Sequence, residues 1–164
     1  MKHDGAREAA ADCRGRRFAI VAARFYAGIA DRLIDGAKRA LRDCKVSDDD
    51  VEVFEVPGCF ELPLACRKLA DMNRFDALVA VGAVVRGETP HFDFIAGECV
   101  RGIMDVQLAT GVPIGLGVLT TDDLEQALAR ADRDRGDKGY AAALAAASLL
   151  RLAPAVPAAA TRRN

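Results

Sequence analysis

The sequence lacks most of the features that mark the commoner classes of protein. No apolar run reaches bilayer-spanning length; the alanine-rich stretch from Ala141 to Leu150 is too short. Met1 to Arg17 is polar and charged, without the hydrophobic core of a secretory leader. The five cysteines (Cys13, Cys44, Cys59, Cys66 and Cys99) are odd in number and nowhere spaced C-x-x-C. They read as free thiols of a reducing compartment, not as disulfides or a zinc site, so a cytoplasmic protein is expected. No G-x-G-x-x-G follows the first apolar run and no G-x-x-x-x-G-K-[ST] occurs anywhere, which removes the usual dinucleotide and P-loop readings. The formal net charge of −1 argues against electrostatic binding to nucleic acid or an acidic membrane.

What is present is a chain of 164 residues, 51% apolar and 29% charged, which suits one globular domain. Residues 1–15 read as a flexible arm and 154–164, rich in Pro and Ala, as a disordered tail; 16–153 form the domain. Arg17 to Ala23 is a first buried strand, followed by a helix with Ile29, Leu33, Ala37, Ala40, Leu41 and Cys44 at helical spacing. Val51 to Val56 alternates and so is a less buried strand, stopped by Pro57-Gly58; Phe60-Glu61-Leu62-Pro63 opens a helix to about Met72.

The stretch from Val79 to Glu98 begins as an unbroken apolar strand and ends as a helix that Thr89 should cap and Pro90 begin. Gly111 is its stop signal. Pro113 to Leu119 is a fourth strand. Thr121 or Asp122 then caps a helix with Glu125 as capping-box partner, Arg130 to Gly139 is a charged connector, and Tyr140 to Leu152 a last helix. Strands alternating with helices imply an α/β fold, a four-stranded parallel sheet covered on both faces.

Such a sheet binds ligands beyond the C-terminal ends of its strands. The loops there are Phe25-Tyr26, Pro57 to Glu61, Arg86 to His91 and Thr120-Thr121, and they hold most of the unusual chemistry. Arg86-Gly87-Glu88-Thr89 delivers backbone N–H groups and a helix N-terminus to one point, a geometry that suits phosphate. His91, one of two histidines, stands beside it as a candidate general base, although a surface histidine in a first turn is an equally plain reading. Glu61 either accepts hydrogen bonds or answers the helix dipole. Phe25 either stacks on a planar ring or belongs to the core. Gly82, Ala83 and Val84 would offer backbone amides. Arg130 and Lys138 could contact phosphate or belong to a solvated face. Cys59 reads as a small neighbour of a ligand and not as a nucleophile.

Five stretches, in order and spacing from about residue 17 to 152, together resemble the lumazine synthase family. They are Ala23 to Tyr26, Val56 to Pro63, Gly82 to Asp93, Gly117 to Thr120 and Gly136 to Gly139. The resemblance implies a flavodoxin-like three-layer α/β/α sandwich. It also implies condensation of 5-amino-6-(D-ribitylamino)uracil with 3,4-dihydroxy-2-butanone 4-phosphate, without a metal or organic cofactor. Carried over residue by residue, Phe25 stacks on the pyrimidine and Gly82, Ala83 and Val84 face it. Cys59, Phe60 and Glu61 hold the ribityl chain, Gly87, Glu88 and Thr89 the phosphate, and His91 moves protons. Arg130 is the phosphate-binding arginine, given by a neighbouring subunit, and Lys138 lies close by.

The family's homo-oligomers are pentamers, decamers or sixty-subunit shells; Arg24 to Tyr26 and Arg86 to Thr89 resemble non-shell members, which points to a pentamer. Leu116 stands where many members place a phenylalanine over the ring, Cys59 where serine is usual, and Glu88 where alanine is frequent. The first two departures motivate an alternative, a member that binds flavin or lumazine or serves as a scaffold. A flavodoxin-like electron carrier is disfavoured because no FMN phosphate loop follows the first strand.

Overall fold

The computed structural model describes residues 10–152. Four parallel strands, β1 (Phe18–Ala23), β2 (Val51–Val56), β3 (Ala77–Val85) and β4 (Ile114–Thr121), form one sheet in the order β2-β1-β3-β4. The helices are α1 (Ala27–Asp43), α2 (Leu62–Asp71), α3 (His91–Thr110), α4 (Leu124–Ala131) and α5 (Lys138–Leu149). β1 is buried along its whole length and β2, at the sheet edge, is mostly half-buried, as their continuous and alternating patterns require.

Alternation of side chains across the strands divides the core in two. Phe18, Ile20, Val79 and Val81 pack with α1, α4 and α5, whereas Ala19, Val21, Leu78 and Ala80 pack with α2 and α3. This is the three-layer sandwich. On the first face α5 presents only small buried residues, Gly139, Ala142, Ala143, Ala146 and Ala147. They let it lie so close that a Cβ at Gly115 or Gly139 would strike the backbone of Ala142 or Leu33.

Several boundaries differ from the sequence expectation. Residues 11 and 13 of the expected arm are buried in the α1-side core, and Cys13 N–H donates to Cys44 O at 2.8 Å; residues 1–9 and the tail from 153 lie outside the described residues. Thr89 does not cap α3. The helix starts at His91 with Pro90 at the cap position and no side-chain cap, its first turn being held instead by Arg86 on Asp93. β4 continues to Thr121 because it pairs with β3 up to Val85. The cap of α4 therefore falls on Asp123, which accepts from Gln126 N–H at 2.8 Å while Gln126 Nε2 donates back at 3.0 Å. Arg130 lies in the last turn of α4, not in a connector, and α5 starts at Lys138 because the left-handed Asp137 (φ 42°) is held by both Nη atoms of Arg39. Gly111 ends α3 in the left-handed region (φ 70°), as expected.

Candidate active site

β1 and β3 are neighbours from which the chain departs in opposite directions, to β2 on one side and β4 on the other. A crevice opens at such a switch point, outside the strand ends. Here it is a concavity of about 230 Å³ lined by Phe25, Tyr26, Gly58, Cys59, Phe60, Glu61, Ala83, Val84, Val85, His91 and Ile95. Three of the four strand-end loops supply it.

After β1, Arg24 N–H continues the ladder to Val56 O at 2.9 Å, and its guanidinium pairs with Asp31 at 2.5 Å and Glu55 at 3.6 Å. This fixes the corner at which Phe25 projects, 75% exposed and edge-to-face with Tyr26 at 5.0 Å. An aromatic ring left open at a strand end, over a cavity, is placed for stacking and not for the core. After β2, a 3-10 turn (Cys59–Glu61) enters α2, leaving Phe60 and Glu61 exposed on the cavity wall. The Glu61 carboxylate lies against Gly58, where a Cβ would come within 3.2 Å of Oε2. At the end of β3, Ala83 and Val84 face the space and His91 closes it from the first residue of α3.

Cys59 is 5% exposed and borders the floor. Its thiol is pushed up by a side-chain hydrogen bond with Cys99 and then by burial, which keeps it protonated and unreactive. All five cysteines are free thiols and buried, and among the described residues no helix is long and apolar enough to cross a membrane.

The remaining expected residues fall elsewhere. Gly82 is buried and does not line the cavity; a Cβ there would meet Ala23 Cβ at 2.8 Å and Cys59 Sγ at 2.9 Å, so its smallness serves packing under the floor. Gly87, Glu88 and Thr89 are exposed in the loop before α3, outside the lining. Leu116, Arg130 and Lys138 gather at a second concavity of about 200 Å³, with Gly117 to Thr120 of β4. The two concavities share no residue. Tyr26 and Gly58 lie in loops expected at the site, without a role assigned to them; Val85 and Ile95 are the lining residues missed by sequence reasoning, and the His91–Ile95 spacing of one helical turn was the available signal for the last.

An open aromatic, a carboxylate and an imidazole over the switch point of a parallel sheet define an α/β enzyme that binds a planar polar small molecule. A family model described as 6,7-dimethyl-8-ribityllumazine synthase matches residues 15–153. The protein named 6,7-dimethyl-8-ribityllumazine synthase in Desulfatibacillum aliphaticivorans is 44% identical over 146 residues, 89% of this chain and 94% of the relative. Its namesake in Nitratidesulfovibrio vulgaris (strain DSM 19637 / Miyazaki F) is 43% identical over 152 residues, 93% and 97% of the two chains. The chain belongs to the 6,7-dimethyl-8-ribityllumazine synthase family.

Proposed function

We propose that the protein catalyses the condensation of 5-amino-6-(D-ribitylamino)uracil with 3,4-dihydroxy-2-butanone 4-phosphate to 6,7-dimethyl-8-ribityllumazine, releasing phosphate and water, the penultimate step of riboflavin formation. The observation that carries the reading is the concavity in which Phe25, Glu61 and His91 face one space. Phe25 stacks on the pyrimidine, whose edge meets the main chain at Ala83 and Val84, with Gly82 beneath them. Phe60 and Glu61 hold the ribityl chain, the carboxylate accepting from its hydroxyls, and Cys59 leaves room for it. The Gly87–Thr89 loop receives the phosphate, and the Glu88 side chain turns away from it.

An amine of the pyrimidine attacks the ketone and water leaves to give an imine. Loss of a proton and of phosphate then leaves an enol that becomes a second carbonyl, and the other amine closes the ring on it with loss of a second water. Every step needs a proton delivered or removed, and His91 is the group at hand. Most of the remaining acceleration comes from holding two small reactants in reactive orientation.

Phosphate also needs a cation, and no lysine or arginine lines this concavity. Arg130 and Lys138, on the second concavity, supply it from a neighbouring subunit of a homo-oligomer built on pentamers, together with Leu116 as an aliphatic cover. The protein works in the cytoplasm.

The test is to mix the purified protein with both substrates and follow lumazine fluorescence; a rate no higher than the uncatalysed background sinks the enzyme reading. His91→Ala is expected to lower kcat by about a hundredfold or more. Arg130→Ala should raise KM for the phosphate substrate by about tenfold or more. Refolded together, the two variants should regain activity at about a quarter of the sites, because a heterologous interface pairs intact halves by chance. No recovery would show that the site is not shared.

A further inference from the structure

Arg86 stands where β3 hands over to the loop before α3, and its guanidinium meets three side chains. Nη1 and Nη2 donate to the two carboxylate oxygens of Asp93 at 3.2 and 3.0 Å, and Nε donates to Asp122 Oδ1 at 3.3 Å. The Phe92 ring centroid lies 4.2 Å from its central carbon, and its backbone N–H donates to Thr121 O at 2.9 Å. One residue therefore ties together the end of β3, the first turn of α3 and the loop between β4 and α4.

This arrangement decides between two roles. An arginine beside a phosphate loop invites assignment as the phosphate ligand. Here two carboxylates already neutralise it, and a planar fork laid on one carboxylate fixes orientation instead of offering free charge. Between its anchors the chain has little else to shape it. No side chain caps α3, and a Cβ at Gly87 would meet nothing within 4 Å. The path of residues 87–90 and the place of His91 must therefore be set from the two ends, and Arg86 grips both.

We propose that Arg86 is a positioning residue for the reaction: through Asp93 and Asp122 it holds the Gly87–Thr89 loop and His91 in their working geometry. The proposal rests on the roles given above to that loop and to His91. Its partners are exposed, Asp93 at 59% and Asp122 at 74% of the side chain, so the ion pairs add little to stability and the effect is kinetic.

The experiment measures kcat, KM for each substrate and thermal midpoint of the full-length Arg86→Gln, Arg86→Lys and Asp93→Asn proteins and the Arg86→Gln/Asp93→Asn double variant, beside His91→Ala. Arg86→Gln should lose about tenfold to a hundredfold in kcat, the cost of a misplaced reacting group, with KM for the pyrimidine unchanged and the midpoint close to wild type. Arg86→Lys should recover only part, lacking the fork, and the double variant should be no slower than the slower single one. An unchanged kcat in Arg86→Gln overturns the proposal. So does a lowered midpoint with full turnover in the folded fraction, or losses that multiply in the double variant. Should Arg86→Gln fail to fold, Asp93→Asn decides alone: full kcat there overturns it. A kinetically silent His91→Ala refutes the reading of the site and the proposal with it, whereas a slow His91→Ala beside normal Arg86 variants refutes only the role of Arg86.

Discussion

Gly82 connects the packing of the sheet to the chemistry above it, and Gly82→Ala tests that connection. A Cβ at this position would stand 2.8 Å from Ala23 Cβ and 2.9 Å from Cys59 Sγ, closer than real Cβ atoms approach their neighbours. Ala23 ends β1, buried in the sheet interior, so it has little freedom to retreat. The strain must pass to Cys59, which begins the turn carrying Phe60 and Glu61. Overpacking of this kind costs about 2 kcal/mol. For a domain of this size that lowers the thermal midpoint by about 4–8 °C at fixed protein concentration.

The displaced turn should also raise KM for the ribityl-bearing substrate while leaving KM for the phosphate substrate as it was. Cys59→Ala removes one of the two clashing atoms, so the Gly82→Ala/Cys59→Ala pair should be more stable than the sum of the singles by about 1 kcal/mol in a double-mutant cycle. Urea unfolding followed by circular dichroism, beside steady-state kinetics, measures both. A Gly82→Ala protein as stable as wild type, or strictly additive with Cys59→Ala, would refute the reasoning.

Two further outcomes test the core and a helix start. Burial pushes the Cys66 thiol up to about 12 from its ordinary 9.0. Between those values the folded chain keeps a proton that the unfolded chain has lost, so stability falls as pH rises, by about 1.4 kcal/mol per pH unit from this group. Urea midpoints from pH 8 to 11 in reducing buffer should fall more steeply for wild type than for Cys66→Ala, and equal slopes would refute it. Asp123→Ala should destabilise by about 1 kcal/mol through loss of the α4 cap, and Asp122→Ala by much less, both read from urea unfolding.

Much of the site is legible in the sequence because parallel topology does the gathering. Phe25, Glu61 and His91 are far apart along the chain, but each follows the C-terminal end of an apolar run, and such ends share one edge of the sheet. The strands themselves follow from their unbroken or alternating patterns. What escapes is anything settled by neighbours distant in sequence. Gly82 reads as a ligand-facing amide, and nothing in the local sequence tells that Ala23 and Cys59 leave no room there for a side chain. The α4 cap slips to Asp123 because β3 keeps pairing with β4 through Val85 and Thr121, a length that strand composition alone does not fix. Asp137 holds a left-handed backbone for an arginine 98 positions away. The fork of Arg86 on Asp93 and Asp122 likewise needs three elements in place before it exists.

Charge is the physical argument behind the proposal that a second chain completes the site. The concavity at the switch point is lined by one carboxylate, one imidazole and otherwise uncharged residues, while the arginines adjoining the lining in sequence are consumed elsewhere, Arg24 by Asp31 and Glu55 and Arg86 by Asp93 and Asp122. A phosphate bound there would face Glu61 without a compensating cation. The second concavity has the opposite character: Arg130 and Lys138 line it with no carboxylate, and the 46%-exposed Leu116 stands beside them. Neither surface is electrostatically complete, and each lacks what the other offers. Phe94, Met104 and Leu108 are also left exposed along α3, apolar surface suited to burial against another copy. Bringing the cationic concavity of one subunit to the acidic, aromatic concavity of the next satisfies both requirements with one contact. Under the proposed sharing turnover depends on assembly: a chain without its neighbour would hold Phe25 and His91 but lack the cation for the phosphate.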